Sequence, residues 1–317
     1  MPSGEVAPSG VEGEADDPTE ARMIKSNVDQ LVESAVAGRI AHPRTSAYDL
    51  RPAADGSSSV PVRGGGITFN VRIGDPAGGW AGGDHVEPGV ALRAEDPREN
   101  DALASLACIG NEAVITDAVF EGKDVKLKGA TGVVSGKHCT GDRLIISFPK
   151  RVVERLCIGD RIQIRAAGAG LRLLDYADIA VFNMGPRLLR ALNPSEKGGK
   201  VRVPVAKVIP GKLAGAGIGG SHPQSGGCDI QTSSAEVLRE FTLDQVRLGD
   251  LVAITDHDAS HGHRWQPGAV TIGVVSHGTS RYAGHGIGVN AILTSPRGSI
   301  EPIFTRKANL AELLGLT

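Results

Sequence analysis

The sequence predicts an α+β, mostly β protein with two β-rich, barrel- or sandwich-like units and a few short helices. Glycine occurs 43 times in 317 residues, about twice its usual share of ~7%, and without the Gly-X-Y period of collagen. This excess is typical of many tight turns between short strands. Hydrophobic residues make up 40% and aromatic residues 3%, so the cores must consist of Val, Ile, Leu and Ala. Short apolar runs recur between turn signals, without the long alternating βαβ series of a doubly wound sheet.

The N-terminal half divides into a tail, a helix, a loop and a set of strands. Residues 1–20 are rich in Gly, Pro, Ser and acidic residues, which predicts a disordered tail. Apolar residues at helical spacing predict a helix from Glu20 to Gly38, and 43–64 reads as a surface loop. The N-terminal β-rich domain is predicted to span 21–168, with strands at Ile67–Ile73, Ala113–Val119, Leu144–Phe148 and Arg161–Arg165.

The C-terminal half, 169–317, is predicted as an α+β domain. Its candidate helices are Pro186–Leu192, Ser233–Phe241 with a serine cap, and Asn309–Leu314. Its candidate strands are Val201–Ile209, Leu251–Ile254, Ala269–Ser276 and Val289–Leu293.

Charge and composition argue against several classes of partner. The net charge is −2, with 34 basic and 36 acidic residues, so the chain lacks the basic face and the aromatic platforms of a nucleic-acid binder. No apolar run approaches the ~20 residues that span a bilayer, and the N-terminus lacks the pattern of a signal peptide. We therefore expect a cytoplasmic protein with no nucleic-acid or membrane partner. High glycine content and balanced charge also fit a homo-oligomer.

The densest polar segment follows the predicted strand Leu251–Ile254. Asp256, Asp258 and His261 are the candidate ligands of a divalent ion (zinc, manganese or iron), because carboxylates and imidazoles so close together can converge on one cation. The alternative is a solvated turn in which the aspartates cap backbone N–H groups.

Two histidines flanked by glycine are the candidates for proton transfer. His277 and His285 have uncovered imidazoles whose ordinary pKa of ~6.5 suits acid–base catalysis at neutral pH; the alternative is an ordinary glycine-rich surface loop. If Leu251–Thr255 pairs with Ala269–Ser276, His277 lies roughly 15–20 Å from the 257–268 loop, at ~3.3 Å per residue. The two clusters then share a site only through chain folding or a second subunit.

Further polar residues in turns are candidates for binding a small-molecule substrate: Asp84, His85, Glu87, Lys137, His138 and Asp229. The glycine-rich run 211–221 matches neither a P-loop nor a strand–GxGxxG–helix unit, so no nucleotide cofactor is expected. The four cysteines show no CxxC pair. Cys228, between Gly227 and Asp229, has the setting of an exposed, reactive thiol, with a packing thiol as the alternative.

Several long strings resemble an uncharacterised bacterial and archaeal family, a domain of unknown function known from structural-genomics targets of thermophiles. They are residues 64–90, CIGNEA (108–113), GVVSGKH (132–138), 158–175, VRVPVAKVIP (201–210), RLGDLVAITDHD (247–258), GAVTIGVVSHG (268–278) and AGHGIGV (283–289). The resemblance covers roughly residues 25 to 310 and implies no particular reaction. Where family members tend to have Gly-Gly, Asp-Tyr-Asp-Ile, Tyr-Gly-Arg and GHGPGV, this chain has Cys139-Thr140, Gly227–Ile230, His261–His263 and Ile287. These departures imply a different substrate.

A shorter string is similar to the acetamidase/formamidase family: Gly226, Gly227 and Asp229, followed by Gly249, Asp250, Ala253 and Asp256. That resemblance implies hydrolysis of small amides at a metal-associated site. The sequence thus predicts an enzyme for a small polar metabolite, a hydrolase or lyase with His/Asp acid–base chemistry, with or without a divalent metal. The alternative is a homo-oligomer that binds a small ligand without catalysis.

Overall fold

The computed structural model describes residues 22–43, 52–58, 60–120, 127–220 and 222–316. The predicted tail, 1–20, lies outside them. Strand accounts for 39% of the chain and helix for 15%, which confirms the prediction of a mostly β fold with short helices. The helices are α1 (Pro97–Leu106), α2 (Lys150–Val153), α3 (Pro186–Leu192), α4 (Ala235–Glu240) and α5 (Leu310–Leu314), with 3₁₀ turns at Val28–Gln30, Gly211–Leu213 and Leu243–Gln245.

The strands of the first half are β1 (Arg22–Met23), β2 (Ser34–Ile40), β3 (Val62–Arg63), β4 (Ile67–Thr68), β5 (Gly83–Asp84), β6 (Gly89–Arg93), β7 (Glu112–Asp117), β8 (Thr131–Lys137), β9 (Leu144–Ser147) and β10 (Arg161–Ala166). Those of the second half are β11 (Ala180–Val181), β12 (Ser195–Lys197), β13 (Lys200–Val205), β14 (Lys207–Pro210), β15 (Cys228–Gln231), β16 (Leu251–Asp258), β17 (Arg264–His277), β18 (Gly286–Ser295) and β19 (Ile300–Phe304).

Six antiparallel strands of the first half close into a barrel. Strand order runs β2-β10-β7-β8-β9-β6, and β6 pairs again with β2, so the ring has no free edge. In β10, Ile162 and Ile164 are fully buried, while the alternating residues Arg161, Gln163 and Arg165 are exposed, as expected for a strand with one face on the core. Aliphatic residues such as Leu92, Ile115 and Ile146 fill the interior.

The predicted helix over Glu20–Gly38 is wrong. Among its described residues, Val28–Gln30 form a 3₁₀ turn and Ser34–Ile40 form strand β2, because the backbone of this segment pairs with β10 and β6. Gly38, which read as a helix stop, lies where β6 passes closely: a Cβ there would come within 2.8 Å of the Arg93 carbonyl oxygen. The predicted strand Ile67–Ile73 is also shorter, since only Ile67 and Thr68 pair in β4.

The short helices agree well with their sequence signals. Helix α3 has the predicted bounds and begins with a proline, whose fixed φ suits the first helical position. The Ser234 side chain accepts a hydrogen bond from the Val237 N–H at the start of α4, and the Asn309 side chain accepts one from the Ala311 N–H at α5. Gly315 then ends α5 in the left-handed conformation, with φ at 65°.

The second half is built on a six-stranded sheet. Strands β16 and β17 form the expected antiparallel hairpin, with Leu251 opposite Val274 and Val270 opposite Thr255. Strand β18 pairs with β17 on one side and with β15 and β11 on the other, and β14 joins β16 in parallel. A second sheet of order β1-β12-β13-β19 packs nearby and shares the core that includes Val203, Ile272 and Leu310.

The end of barrel strand β8 meets the C-terminal sheet directly, and this junction positions the site. The Lys137 backbone N–H donates to Asn290 Oδ1 on β18 at 2.7 Å. A Cβ at Gly136 would come within 2.8 Å of the Ser276 side chain on β17, so glycine is needed for this close approach. Among the described residues, no helix is long and apolar enough to cross a membrane.

Candidate functional site

A cavity of about 630 Å³ opens at the junction between the barrel and the C-terminal sheet. Its walls carry four histidines around one buried aspartate, together with two arginines and a tyrosine. These residues are His85, His138, His277, His285, Asp229, Arg63, Arg143 and Tyr282. A depression of similar size, about 590 Å³, is lined instead by scattered ion pairs such as Arg247–Glu312 and no histidine.

His85 follows β5 and has a left-handed backbone, with φ at 52°. Bulky side chains seldom adopt this conformation, and its occurrence at a site indicates that the surroundings hold the residue in place. Its Nδ1 lies 2.8 Å from Asp84 Oδ2. Asp84 in turn accepts from the Ser280 hydroxyl at 2.7 Å and from Arg63 Nε at 3.2 Å. The ring is thereby oriented with Nε2 toward Asp229.

His138 directly follows β8 and has a buried carboxylate behind it, in an ion-pair contact. Its Nδ1 lies 2.6 Å from Glu87 Oε1, which also accepts from Arg143 Nε at 2.9 Å. Burial opposes ionisation of Glu87, but the charges and hydrogen bonds of His138 and Arg143 outweigh it and lower the pKa of Glu87 to about 2. Glu87 is therefore an ionised, buried support for two residues of the cavity wall.

His277 closes the inner end of the cavity at the end of β17 and is completely buried. Its Nδ1 lies 3.1 Å from the Gly278 carbonyl oxygen, which can only accept, so Nδ1 carries the proton and Nε2 presents a lone pair. Nε2 has no hydrogen-bond partner among the described residues and lies 3.6 Å from Asp229 Oδ1. Burial lowers the pKa of His277 to about 3, which keeps the ring neutral.

Asp229, on β15, is shared by three imidazoles. Its Oδ2 lies 3.3 Å from His85 Nε2 and 3.2 Å from His285 Nδ1, while Oδ1 faces His277. Burial opposes its charge, but the hydrogen bonds from His285 and His85 hold its pKa well below the usual range. Burial likewise opposes the charge on His85, and the hydrogen bonds to Asp229 and Asp84 raise its pKa to about 9.

The donor set fits a divalent metal ion. The ligand atoms of His85, Asp229 and His285 lie within 4.8 Å of one another, as do those of Cys139, Asp229 and His277. In a tetrahedral site with ~2.0–2.1 Å bonds, neighbouring ligand atoms are about 3.3 Å apart, close to the 3.2 and 3.3 Å separations observed. The bond from His85 Nδ1 to a carboxylate matches the outer support that metal-bound histidines usually have.

The structure brings most of the predicted substrate and catalytic residues together. His85, His138, Asp229, His277 and His285 line the cavity, whereas Asp84 and Glu87 lie behind it and orient His85 and His138. Lys137 does not line the cavity. Its ammonium group is buried and donates to Asn183 Oδ1 at 2.6 Å and to the Gln224 carbonyl oxygen at 2.5 Å, so we now interpret it as a structural residue.

The predicted metal ligands Asp256, Asp258 and His261 do not form a ligand group among the described residues. Asp258 accepts from Ser260 and from Arg264 Nε at 2.9 Å. Asp256, at a bulge with φ of 53°, accepts from the Gly268 N–H, and His261 is exposed. These contacts are those of the turn alternative, in which aspartates hold backbone N–H groups and the following loop.

Other residues of the site were not predicted from the sequence. Arg63, Arg143 and Tyr282 lie in loops or at strand ends, in strings without a recognisable motif. Cys228 is buried rather than exposed and lies close to His257 and His263. The sequence signal for Cys139 is its position directly after His138, since a predicted site histidine makes its neighbours candidates as well.

Gly288 on β18 provides the space that His277 occupies. A Cβ at this position would overlap the His277 imidazole, so we expect Gly288→Ala to displace the ring and to lower the free energy of unfolding by about 1–3 kcal/mol. Denaturant unfolding measures this. Gly220→Ala is the matched control, because the nearest atom to a Cβ there is 3.9 Å away. Equal stability of both variants would contradict the close packing of His277.

Comparison with known proteins identifies the family. The family model for the N-terminal domain of DUF4438, a domain of unknown function, matches residues 50–190. The family model for the C-terminal domain of DUF4438 matches residues 191–314. The crystal structure of TM1086, a structural-genomics target from a thermophile, is 40% identical with a TM-score of 0.84; the match covers 92% of this chain and 99% of that chain. No curated protein matches. The chain therefore belongs to the DUF4438 family of domains of unknown function.

Proposed function

We propose that this chain is a metal-dependent hydrolase for a small polar substrate, with a divalent ion held by His85, Asp229 and His285. One observation carries the proposal: a buried carboxylate is shared by three imidazoles, of which His85 and His277 are each fixed through Nδ1 by an oxygen outside the cavity. Such anchoring orients a nitrogen lone pair toward a cation.

The cavity supplies the remaining requirements of hydrolysis. A zinc-type ion with three protein ligands keeps a position for water, whose pKa it lowers to ~7. His277, with its unprotonated Nε2 3.6 Å from Asp229, can accept a hydrogen bond from that water at the inner wall. His138 is stacked on His277 with ring centroids 4.9 Å apart, which places a second imidazole beside it for proton transfer.

The cavity wall favours a substrate with negative charge or polar oxygens. Arg63, Arg143 and Tyr282 line the same space. Arginine offers several N–H donors in a fixed fork, which suits a carboxylate or an amide oxygen. The short resemblance to acetamidases and formamidases makes small amides the first class to screen, followed by esters of small carboxylic acids.

The test is metal content and hydrolysis by protein purified without a histidine tag. We expect the wild type to hold a transition metal and His85→Ala to hold about one equivalent less, together with loss of any hydrolytic activity. His261→Ala is the matched control, because this histidine is exposed and does not belong to the proposed ligand group of His85, Asp229 and His285. A wild type without metal would contradict the proposal and leave metal-free acid–base catalysis. A metal-loaded protein without turnover on amides and esters would favour the ligand-binding alternative.

A further inference from the structure

Three buried residues behind the candidate site form a second group of metal-binding type. Cys228, His257 and His263 are each 1% exposed, and their ligand atoms lie within 4.8 Å of one another. Cys228 neighbours Asp229 along β15, whereas His257 lies on β16 and His263 directly before β17. The proposed hydrolase uses none of the three, so their burial together needs another explanation.

The hydrogen bonds of His257 define which of its nitrogens can bind a cation. The Thr271 hydroxyl lies 2.8 Å from the His257 carbonyl oxygen, which can only accept, so this hydroxyl donates there and accepts from the Thr294 hydroxyl at 2.7 Å. The His257 Nδ1, 3.0 Å from the same hydroxyl, must then be the donor to it. Nε2 is therefore unprotonated, and it faces Cys228 Sγ at 3.8 Å.

The burial of His263 is harder to explain than that of His257. Neither of its ring nitrogens has a hydrogen-bond partner among the described residues, although the side chain is almost completely buried. Buried polar groups are nearly always hydrogen-bonded, because an unmade bond leaves the loss of hydration uncompensated. The ring lies beside that of His257, with centroids 5.3 Å apart. A bound cation would give a His263 nitrogen the partner that it lacks.

We propose that Cys228, His257 and His263 bind a second, structural metal ion of the zinc type, separate from the ion of the proposed hydrolase. With Zn–S of ~2.3 Å and Zn–N of ~2.0–2.1 Å, tetrahedral geometry puts sulfur and nitrogen about 3.6 Å apart, near the observed 3.8 Å. A thiolate and two imidazoles select zinc over magnesium or calcium, which prefer oxygen. On binding, the thiol releases its proton to solvent as the S–Zn bond forms.

An entry path and a structural role both follow from the fold. His263 forms part of the wall of a cleft of about 600 Å³ that also includes Gly219, Gly220 and His261, and an ion would enter from this cleft. The ion would join β15 to the β16–β17 hairpin, although β15 pairs only with β18 within the sheet. Asp229 is on β15, so this link would also hold the main aspartate of the candidate site in place.

The test uses untagged full-length protein loaded with cobalt in place of zinc. A thiolate ligand gives cobalt a charge-transfer band in the near ultraviolet, which we expect in the wild type and expect to disappear in Cys228→Ser. Cys139→Ser is the matched control, because that thiol lies beside Asp229 and His277; the band should persist in it. Persistence of the band in Cys228→Ser together with its loss in Cys139→Ser would assign it to the other thiol and overturn the proposal, as would its absence from the wild type.

Two further measurements separate this ion from that of the proposed hydrolase. Asp229→Asn should lose the metal of the candidate active site and keep the thiolate band. The two proposed metal sites can therefore be refuted independently of each other. If Cys228→Ser does not fold, X-ray absorption of the wild-type zinc protein shows whether sulfur is bound to the metal. We expect a sulfur shell at ~2.3 Å that also persists in Cys139→Ser, and zinc with only nitrogen and oxygen neighbours would refute the site.

Discussion

Asp229→Asn is expected to remove the metal of the candidate active site and to destabilise the protein by about 3–5 kcal/mol. The carboxylate is 3% exposed and contacts His85, His277 and His285. An uncharged amide removes the buried negative charge that these three imidazoles surround, so neither a bound cation nor a protonated His85 keeps its main counter-charge. We expect the loss of metal affinity to exceed the 10–100-fold that is typical when an outer-shell partner is removed.

Metal analysis and denaturant unfolding of the same preparations measure both effects. Asp256→Asn is the matched control, because that carboxylate accepts from the Gly268 N–H in the hairpin loop and lies outside the histidine group. A metal that is retained in Asp229→Asn and lost in Asp256→Asn would reverse our assignment and restore the ligands predicted from the sequence.

Glu87→Gln is expected to have a comparable effect on stability, about 3–5 kcal/mol at neutral pH. Glu87 is 2% exposed and pairs with His138 and Arg143, so the substitution removes the buried charge that both residues share and leaves Arg143 with the more exposed Asp142 as its carboxylate partner. The same change removes the anchor of the His138 ring, and we expect a fall in kcat of any hydrolytic activity larger than the change in KM.

The stability effect should depend on pH with a definite sign. The pKa of Glu87 is lowered from 4.5 to about 2, so its ion pairs stabilise the folded state fully above pH 4.5. The contribution is lost as the pH falls toward 2. The stability difference between wild type and Glu87→Gln should therefore shrink over this range, as measured by unfolding at a series of pH values.

Glu154→Gln is the control for Glu87→Gln. It makes the same change in an exposed i,i+4 pair with Lys150, where the expected loss is only ~0.3–0.5 kcal/mol. Equal effects of the two substitutions would show that the Glu87 pairs contribute no more than surface pairs do.

Local patterns were sufficient wherever neighbouring residues determine the structure. Helix α3 was predicted with its observed bounds, and the β16–β17 hairpin has the expected partners. These elements have a proline at a helix start or apolar runs bounded by turns, so short-range signals and long-range pairing agree. For Ser34–Ile40 they disagree. The apolar residues have helical spacing, but the segment forms a strand because its backbone pairs with two barrel strands that are distant in sequence.

The candidate site shows the same division. Composition and sequence indicate which residue types carry the chemistry. The candidates that the sequence alone indicates include His85, His138, Asp229, His277 and His285. Their grouping was decided by the tertiary structure, because barrel strand β8, the β5 turn and strands β15, β17 and β18 meet at one junction. The sequence alone assigned the metal to Asp256, Asp258 and His261, since closeness along the chain was the only measure of proximity available.

The sequence by itself determined the mostly β class, the turn-rich architecture, the short helices and the pool of ionisable loop residues. Only the tertiary structure decided which of these residues face one another. It buried Lys137 away from the cavity, placed Glu87 behind His138, and brought Cys228 to His257 and His263. The physical reason is that the periodicity of a strand determines which side chains share a face, whereas contacts between sheets depend on pairings and loop closures over more than a hundred residues.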